Sequence, residues 1–400
     1  MEKITETAKE LEVVGEYDVV VCGGGIAGIS AALASARQGA KTLLIEREFM
    51  LGGLATAGLI AFYLPLCDGM GHQVSFGISE ELLKLSVEKG SEQKHLPEFW
   101  KNDASVEERS KARYEVQYNP NVFAVLAEKL LIKEGVQLLY GTAVCNTLCR
   151  DGKISYIVTE NKSGRQAVKV KSVVDATGDA DIVHLSGENE KIFGQGNILA
   201  GWFYEVRDGK NVLRAIGACD VPDGETDLAK PKLLINRRFS GLDAKELTEQ
   251  VVLSHDVALN EFLKRGEITD DHSLGMLPCI PQVRMTRRID GVAVMNDKDM
   301  HREYDDSVGL FSDWRKKGPV YELRFSALHG EKVKNLICAG RNISSTDAMW
   351  DITRVIPVCA VSGEAAGTAA AISDDFTKTD CKKLSEILKS NGVVLHEREL

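Results

Sequence analysis

Three glycines and one acidic residue near the N-terminus have the types and the spacing that binding a dinucleotide requires. Gly23 allows a tight turn, Gly25 lets the backbone approach a pyrophosphate, and Gly28 lets a helix pack closely on a strand. Glu46, 18 residues after Gly28, can accept hydrogen bonds from both ribose hydroxyls. The unpaired N–H groups at the start of the helix can face the phosphates, which adds Ile26 and Ala27 to the site. A fortuitous glycine turn is the alternative.

A second glycine pair follows the acidic residue and favours FAD over NAD. A glycine pair just past the second strand indicates a loop pressed against a long, extended ligand, which NAD-binding folds rarely need. The loop adds five residues to the predicted cofactor site: Gly52, Gly53, Leu54, Ala55 and Thr56. The alternative is an ordinary glycine-rich loop.

Two later apolar strands end in glycine. A strand of this kind can bring its backbone close to a ligand at the carboxyl edge of a parallel sheet. The residues concerned are Ala176, Thr177, Gly178 and Asp179 at the first strand end, and Gly340 and Arg341 at the second. Arg341 could hold a phosphate or a ribityl hydroxyl. A strand-end turn and a surface arginine are the alternatives.

A run of small residues from Pro357 to Ala371 predicts a closely packed helix. Proline suits its first turn, and the glycines and alanines leave one face nearly free of side chains. A helix N-terminus aimed at a flavin pyrimidine would stabilise the negative charge that develops on reduction. This prediction adds Ile356 and Gly363 to the cofactor site. Close packing against another backbone is the alternative, and both can hold at once.

The elements that position these residues begin with a strand, a helix and a second strand, at 17–22, 26–38 and 42–45. Strand candidates at 142–148, 154–160 and 167–170, joined by turn signals, predict a β-meander. The predicted fold class is α/β. It comprises a Rossmann-like FAD-binding domain, with a central parallel sheet and the β-meander, plus an inserted mixed α+β substrate domain.

The dinucleotide-binding pattern occurs in three separated pieces, which predicts a discontinuous domain. We assign residues 1–60, 119–180 and 332–400 to the FAD-binding domain. Residues 61–118 and 181–331 are assigned to a substrate or cap domain. Proline and glycine are interspersed in the longer insertion, where one helix is predicted at about 243–264.

Composition narrows the function classes. A net charge of −10 over 400 residues argues against a nucleic-acid partner. Nine scattered cysteines without a Cys-x-x-Cys pair predict no metal centre and suit a reducing cytoplasm. The charged first 16 residues lack a signal-peptide pattern, and no apolar run reaches about 18 residues, so neither export nor a membrane span is expected. The oligomeric state stays open, with a homodimer as one candidate.

The motifs resemble those of FAD-dependent oxidoreductases in the glutathione-reductase-like superfamily, whose members are built on two dinucleotide-binding domains. The closest resemblance is to a bacterial group of FAD-dependent oxidoreductases and extends from Asp18 to about Ala371. It rests on AGRNIS at 339–344, RVIPVC at 354–359 and GEAAGTAA at 363–370, together with PQVR at 281–284.

The resemblance implies where FAD is held without a covalent bond. Gly23, Gly25 and Gly28 would hold the pyrophosphate, and Glu46 the adenosine ribose. The flavin would be bordered by the loop 52–56, and two further residues would meet the adenine, Arg47 at its edge and Val144 through its backbone. Arg341 stands where many members have aspartate, so an arginine could instead meet phosphate or substrate there.

The chemistry would take place at flavin N5, with the protein supplying orientation, charge and proton transfer. Arg284 and Arg354 are the predicted substrate-binding arginines, because arginine suits a carboxylate or another oxygen-rich anion. Alternatively, these two arginines form interdomain ion pairs, as Arg287, Arg288 and Arg324 could also do. His72 is the favoured proton-transfer residue because it closely follows the glycine loop, and the other candidates are His301, His329, Tyr63 and Tyr321.

These observations predict an FAD-dependent oxidoreductase. It would transfer a hydride between flavin N5 and a small polar substrate, anionic or hydroxyl-bearing, that arginines hold between the two domains. The electron donor or acceptor is not identified by the sequence. The alternatives are a flavin monooxygenase that uses external NAD(P)H and a flavoprotein module that passes electrons to a partner protein.

Overall fold

The computed structural model describes residues 3–5, 7–102, 104–217 and 234–400. Cys219 and part of the longer predicted insertion lie outside these ranges. The strands in chain order are β1 (Val13–Cys22), β2 (Thr42–Ile45), β3 (Phe62–Tyr63), β4 (Val116–Gln117), β5 (Gln137–Leu139), β6 (Ala143–Arg150), β7 (Lys153–Asn161), β8 (Gly164–Asp175), β9 (Glu190–Ile192), β10 (Asn197–Ile198), β11 (Gly201–Arg207), β12 (Lys210–Ile216), β13 (Arg238–Phe239), β14 (His272–Met276), β15 (Arg287–Ile289), β16 (Ser307–Ser312), β17 (Val320–Arg324) and β18 (Leu336–Cys338).

The helices in chain order are α1 (Ile26–Arg37), α2 (Ile78–Ser86), α3 (Val106–Arg109), α4 (Pro120–Lys133), α5 (Asp181–Ser186), α6 (Ala244–Leu263), α7 (Asp347–Thr353), α8 (Ile356–Ile372) and α9 (Cys381–Ser390). The bounds of α1, α6 and α8 are close to those predicted from the sequence at 26–38, about 243–264 and 357–371. Local signals account for some of the ends. The Asn119 side chain accepts hydrogen bonds from the N–H groups of Asn121 and Val122 at 3.1 and 3.2 Å, and Pro120 occupies the first turn of α4.

The central sheet is mostly parallel, and the predicted mixed α/β architecture is confirmed at that level. Strands β5, β2, β1 and β8 lie side by side in this order, each pair parallel. The long strand β8 pairs with antiparallel β7 along its first half and with parallel β18 at Val173–Asp175. Antiparallel β6 completes the β-meander. The last part of β1 is an uninterrupted run of fully buried residues, Val19, Val20, Val21 and Cys22, as a sheet covered on both faces requires.

Helices α1 and α8 pack on each other unusually closely. A Cβ atom added at Gly363 would overlap the backbone carbonyl of Ala27, and one added at Gly367 would overlap that of Ala31. The small-residue face of α8 therefore contacts another backbone, which is the alternative that the sequence left open. The prediction that Gly363 borders the cofactor is wrong in this respect, because the residue faces α1.

The inserted stretches contain smaller sheets. Strands β12, β11 and β14 form an antiparallel sheet that packs with α6 through a small core of Phe203, Ile216, Ala258 and Phe262. Strands β16 and β17 pair with each other, and side chains from both enter the main core around the central sheet. The division into an FAD-binding and a substrate domain stays a prediction.

Among the described residues, no single helix is long and apolar enough to cross a membrane. Helices α7 and α8 pass the test of length and composition only as a pair bent by 90°, and α8 is buried along nearly its whole length.

Glu364 on α8 holds the beginning of α2. Its carboxylate accepts the N–H of Ile78 at 2.8 Å, and the carboxyl group lies so close to Gly77 that a side chain there would overlap it. Burial raises the pKa of Glu364 from 4.5 to about 7, with the nearby Glu81 adding to the rise. An acid with a raised pKa in the folded state binds more protons when folded than when unfolded. Its contribution to stability is therefore lost as the pH rises from about 4.5 to about 7.

We expect Glu364→Gln to flatten the decline in the free energy of unfolding between pH 4.5 and 7. The amide keeps an oxygen that can accept from Ile78 but cannot ionise. Urea unfolding across this pH range measures the effect. Glu386→Gln, at an exposed position on α9, is the matched control and should keep the wild-type pH dependence. An unchanged slope in Glu364→Gln would show that this carboxyl does not titrate as proposed.

Candidate cofactor and active site

A cavity of about 440 Å³ opens where the parallel strands end. The carboxyl ends of β1, β2, β8 and β18 supply part of its lining, through Gly23, Glu46, Ala176 and Gly340 among others. This is the edge at which open α/β sheets bind their ligands. The sequence motifs, which are far apart in the chain, therefore meet at one place.

The three glycines of the first turn have different surroundings. Gly23 adopts φ +102°, and a Cβ atom there would lie 2.5 Å from the carbonyl oxygen of Ala176. A Cβ atom at Gly28 would overlap the carbonyl oxygen of Gly23, so Gly28 does not line the cavity and instead lets α1 approach the turn. Gly25 lines the cavity, and a Cβ atom there would meet no atom within 4 Å. This open space at the N-terminus of α1 fits a pyrophosphate group.

Glu46 connects the end of β2 to the glycine turn. Its carboxylate accepts the N–H of Gly24 at 2.5 Å and that of Glu48 at 2.8 Å. Burial raises the pKa of this carboxyl, and these two hydrogen bonds oppose the rise. The same end of the cavity is lined by Arg47 and Val144, the two residues predicted to meet the adenine.

The second glycine loop lies against the first. The N–H of Gly52 donates to the carbonyl of Gly24 at 2.8 Å, and Gly52 has φ +100°. The cavity is lined by four of the five predicted loop residues, Gly52, Gly53, Leu54 and Ala55. Thr56 is the exception, because its buried hydroxyl donates to the carbonyl of Leu51 and its methyl group fills the space beside Gly52. The prediction that Thr56 borders the cofactor is therefore corrected: this side chain holds the shape of the loop.

The turn after β8 is positioned by Asp175, a residue that the sequence analysis did not single out. Its fully buried carboxylate accepts hydrogen bonds from the N–H and hydroxyl of Thr177, and from the N–H groups of Ile182 and Val183 at the start of α5. Burial raises the pKa of this carboxyl despite the four hydrogen bonds. These contacts place the next four residues, 176–179, on the cavity wall.

Arg341 joins both strand ends to the inserted segment. Its guanidinium forms an ion pair with Asp179 at 3.2 Å and donates to the carbonyl oxygen of Arg284 at 2.8 Å. It lies directly over Gly178, where a Cβ atom would be 2.5 Å from it. Because Arg341 and Asp179 both line the cavity, the arginine there is held by an acid from the neighbouring strand end.

Arg287 also lines the cavity, at its acidic corner. It donates to the carbonyl oxygen of Asp179 at 3.0 Å and to the carboxylate of Asp181 at 2.6 Å. The pKa of Asp181 is raised to about 6, mainly by burial and further by the nearby negative charges of Asp179 and Asp175. The positive charges of Arg287 and Arg47 lower the pKa of Asp181. The acidic corner therefore lies at the same end of the cavity as Arg47.

We expect Arg287→Ala to weaken FAD binding by about tenfold, the equivalent of one charge-assisted hydrogen bond. Removing the guanidinium leaves two carboxylates beside the site proposed for the anionic pyrophosphate. Arg288→Ala is the matched control, because Arg288 lies outside the cavity, pairs with Asp347 at 3.0 Å and stacks on Trp350. Fluorescence titration of FAD measures both affinities, and equal affinities in the two variants would contradict the assignment.

Both predicted substrate-binding arginines, Arg284 and Arg354, line the cavity. The guanidinium of Arg354 donates to the fully buried carboxylate of Asp351 at 3.1 Å, and Arg315 contacts the other oxygen of Asp351 at 3.4 Å. These ion pairs fix the orientation of Arg354. The backbone N–H of Arg284 donates to the buried side chain of Asn197 at 3.0 Å.

The predicted proton-transfer residues do not line the cavity, so their assignment is corrected. His72 lies on a turn that Asp68 organises, and its ring contacts the Asp68 carboxylate at 2.9 Å with about half of the side chain exposed. The others have partners elsewhere: His301 with Glu397, His329 with the carbonyl of Gly330, Tyr63 with that of Ser79, and Tyr321 with that of Asp297. Arg324 also lies outside the cavity.

One feature of the cavity was missed by the sequence analysis. Eight apolar side chains from three separated segments line it, and none belongs to a cofactor motif. We call this set the apolar wall; it consists of Ile60, Phe62, Leu64, Leu242, Leu247, Ile280, Pro281 and Val283. No periodicity in the sequence could have shown that these segments meet.

Most of the chain matches a known family. Residues 18–197 and 222–385 match the family described as FAD dependent oxidoreductase, and the chain belongs to this family. It is therefore an FAD-dependent oxidoreductase, and FAD is its cofactor. The open space at Gly25 and the glycine loop against it fit such a cofactor.

Individual relatives are more distant. Thiamine thiazole synthase of Methanococcus vannielii is 30% identical over 188 residues, which cover 45% of this chain and 63% of that protein, less than two thirds of its length. The enzyme of the same name from Saccharolobus islandicus is 27% identical over 232 residues, 55% of this chain and 76% of that protein. A geranylgeranyl bacteriochlorophyll reductase-like protein from Thermoplasma acidophilum has a similar structure, with a TM-score of 0.50 and 14% identity over 94% of this chain and 84% of that one. That likeness supports the fold alone.

Proposed function

We propose that the protein transfers a hydride between flavin N5 and a substrate whose anionic or hydroxyl group is held by Arg284 and Arg354. The observation that carries this proposal is that both arginines line the same cavity as the predicted cofactor residues. Bound FAD supplies a hydride acceptor or donor. We also propose that the chain belongs to the bacterial group, within the glutathione-reductase-like superfamily, whose motifs it resembles.

The chain itself contributes charge and position. Arg354 is held by Asp351 and lies two residues before α8, the 17-residue helix that begins at Ile356. The N-terminus of a helix carries a partial positive charge. The backbone at Val355 and Ile356, where α8 begins, and the guanidinium of Arg354 therefore favour negative charge at this end of the cavity. In the described part of the chain, no histidine or tyrosine lines the cavity.

The test is to reduce the FAD-loaded protein with candidate substrates under anaerobic conditions. The loss of flavin absorbance at ~450 nm measures the reduction. A panel of hydroxy acids and other carboxylates should include compounds that reduce the flavin, and deuterium at the reacting carbon should slow the reduction. We expect Arg284→Gln and Arg354→Gln to retain FAD and to lower the apparent affinity for substrate by about 10- to 100-fold, the effect of losing one hydrogen bond to a charged group.

Arg324→Gln is the control for these variants, because Arg324 pairs with Asp306 outside the cavity. Unchanged substrate response in both cavity variants would contradict the proposed binding role. Flavin reduction only by NAD(P)H, coupled to oxygen-dependent hydroxylation of a second compound, would contradict hydride transfer with the substrate.

A further inference from the structure

The substrate-facing side of the cavity is apolar rather than polar. Three segments, residues 60–64, 241–247 and 280–284, contribute ten lining residues, among which Arg284 is the one with a polar side chain. Seven residues of the apolar wall are half-buried, and Val283 is 6% exposed. These side chains present hydrocarbon surface to the cavity.

The apolar wall is continuous with the loop predicted to border the flavin. The N–H of Ile60 donates to the carbonyl of Leu54 at 3.0 Å, and the N–H of Cys279 donates to that of Ala57 at 2.8 Å. Gly241, at φ +76°, lies against the side chain of Val283, which brings the start of α6 to the third segment. The wall therefore lies beside the loop 52–55.

The chemistry of this lining selects the substrate. A hydroxyl group buried against hydrocarbon loses its hydrogen bonds to water without gaining a partner, so a polyhydroxylated molecule such as a sugar would be disfavoured along the apolar wall. An apolar group is stabilised there because its surface is removed from water. Arg284, next to the apolar wall in the third segment, and Arg354, two residues before α8, line the same cavity and can hold an anionic end.

We propose that the substrate is a carboxylate with an apolar body, whose carboxylate lies at Arg284 and Arg354 and whose hydrocarbon or aromatic part lies on the apolar wall. This inference rests on the proposed function, because it assumes that the arginines hold the substrate. It replaces the small polar molecule expected from the sequence with an amphipathic acid. The two arginines would bind the carboxylate, and the apolar wall would determine how long the hydrocarbon part can be.

The test uses FAD-loaded protein and the straight-chain carboxylates acetate, butyrate, hexanoate and octanoate, with dissociation constants taken from perturbation of the flavin absorption spectrum. We expect affinity to rise by up to about fourfold per methylene, from about 0.8 kcal/mol per buried methylene. Hexanol and hexylamine should bind at least tenfold more weakly than hexanoate, because neither offers an anion to the arginines.

Two variants separate the apolar wall from general effects on folding. Leu247→Ser should keep acetate binding and reduce the increase in affinity with chain length. Leu259→Ser, at an exposed position on the same helix α6, should keep the wild-type increase. Affinity that is independent of chain length, or tighter binding of glycerate than of hexanoate, would overturn the inference.

Failure of this inference can be distinguished from failure of the proposed function. Protein that binds FAD and is reduced by a small hydroxy acid, with no dependence on chain length, retains the proposed function and contradicts the apolar substrate. Protein whose carboxylate affinity rises with chain length, while no carboxylate or hydroxy acid reduces its flavin, supports the binding site and contradicts hydride transfer. Protein that does not bind FAD contradicts both.

Discussion

Replacing Gly25 with alanine is expected to weaken FAD binding by at least about tenfold, or about 1.4 kcal/mol, while leaving the cofactor-free chain folded. Gly25 has ordinary backbone angles, φ −66° and ψ −177°, which alanine adopts without strain. A Cβ atom there would meet no atom of the chain within 4 Å, so the free protein has room for it. That room is the cavity space beside the N-terminus of α1, where the pyrophosphate is proposed to bind.

Fluorescence titration of FAD, combined with urea unfolding of the cofactor-free protein, measures the two effects separately. Gly194→Ala is the matched control, since a Cβ atom at Gly194 also meets open space but Gly194 lies outside the cavity. The control should bind FAD like the wild type. Wild-type FAD affinity in Gly25→Ala would show that the phosphates bind elsewhere.

Replacing Gly28 with alanine should also weaken FAD binding, but unlike Gly25→Ala it should damage the cofactor-free chain. A Cβ atom at Gly28 would overlap the carbonyl oxygen of Gly23, a backbone atom that cannot move aside without distorting the turn between β1 and α1. We expect the free energy of unfolding to fall by about 1–3 kcal/mol or more, as in other overpacked interiors. Urea unfolding without FAD measures this loss.

The two glycine variants should differ in the stability of the cofactor-free chain. Both variants should bind FAD poorly, but only Gly28→Ala should unfold at a clearly lower urea concentration before cofactor is added. Equal unfolding midpoints for Gly28→Ala and the wild type would contradict the close approach of α1 to the turn.

Much of the central sheet could be predicted from sequence, because its signals are local. The apolar runs of β1, β2 and β18 end in glycine or an acid, and the turn residues Asp151 and Gly152 separate two meander strands. The beginning of α4 has a local signal of the same kind, the cap residue Asn119 followed by Pro120. The meeting of these strand ends at one cavity followed in turn from the rule that parallel strands align their carboxyl ends.

The substrate side could not be predicted, because it depends on contacts between distant segments. Arg287 and Arg288 are neighbours on β15, and alternation along a strand indicates that they face opposite ways but not which one faces a ligand. His72 follows the glycine loop in sequence, yet the Asp68 turn directs it away from the cavity. The small face of α8 was compatible with a flavin or a helix, and only the position of α1 decided between them.

The most direct test of the central claim is a crystal structure of the FAD-bound protein. We predict electron density for the pyrophosphate beside Gly25, the adenosine toward Glu46 and Val144, and the flavin ring between Leu54 and Arg354, with the apolar wall next to it. FAD bound in the reverse direction, or with its flavin ring away from Arg284 and Arg354, would contradict the account.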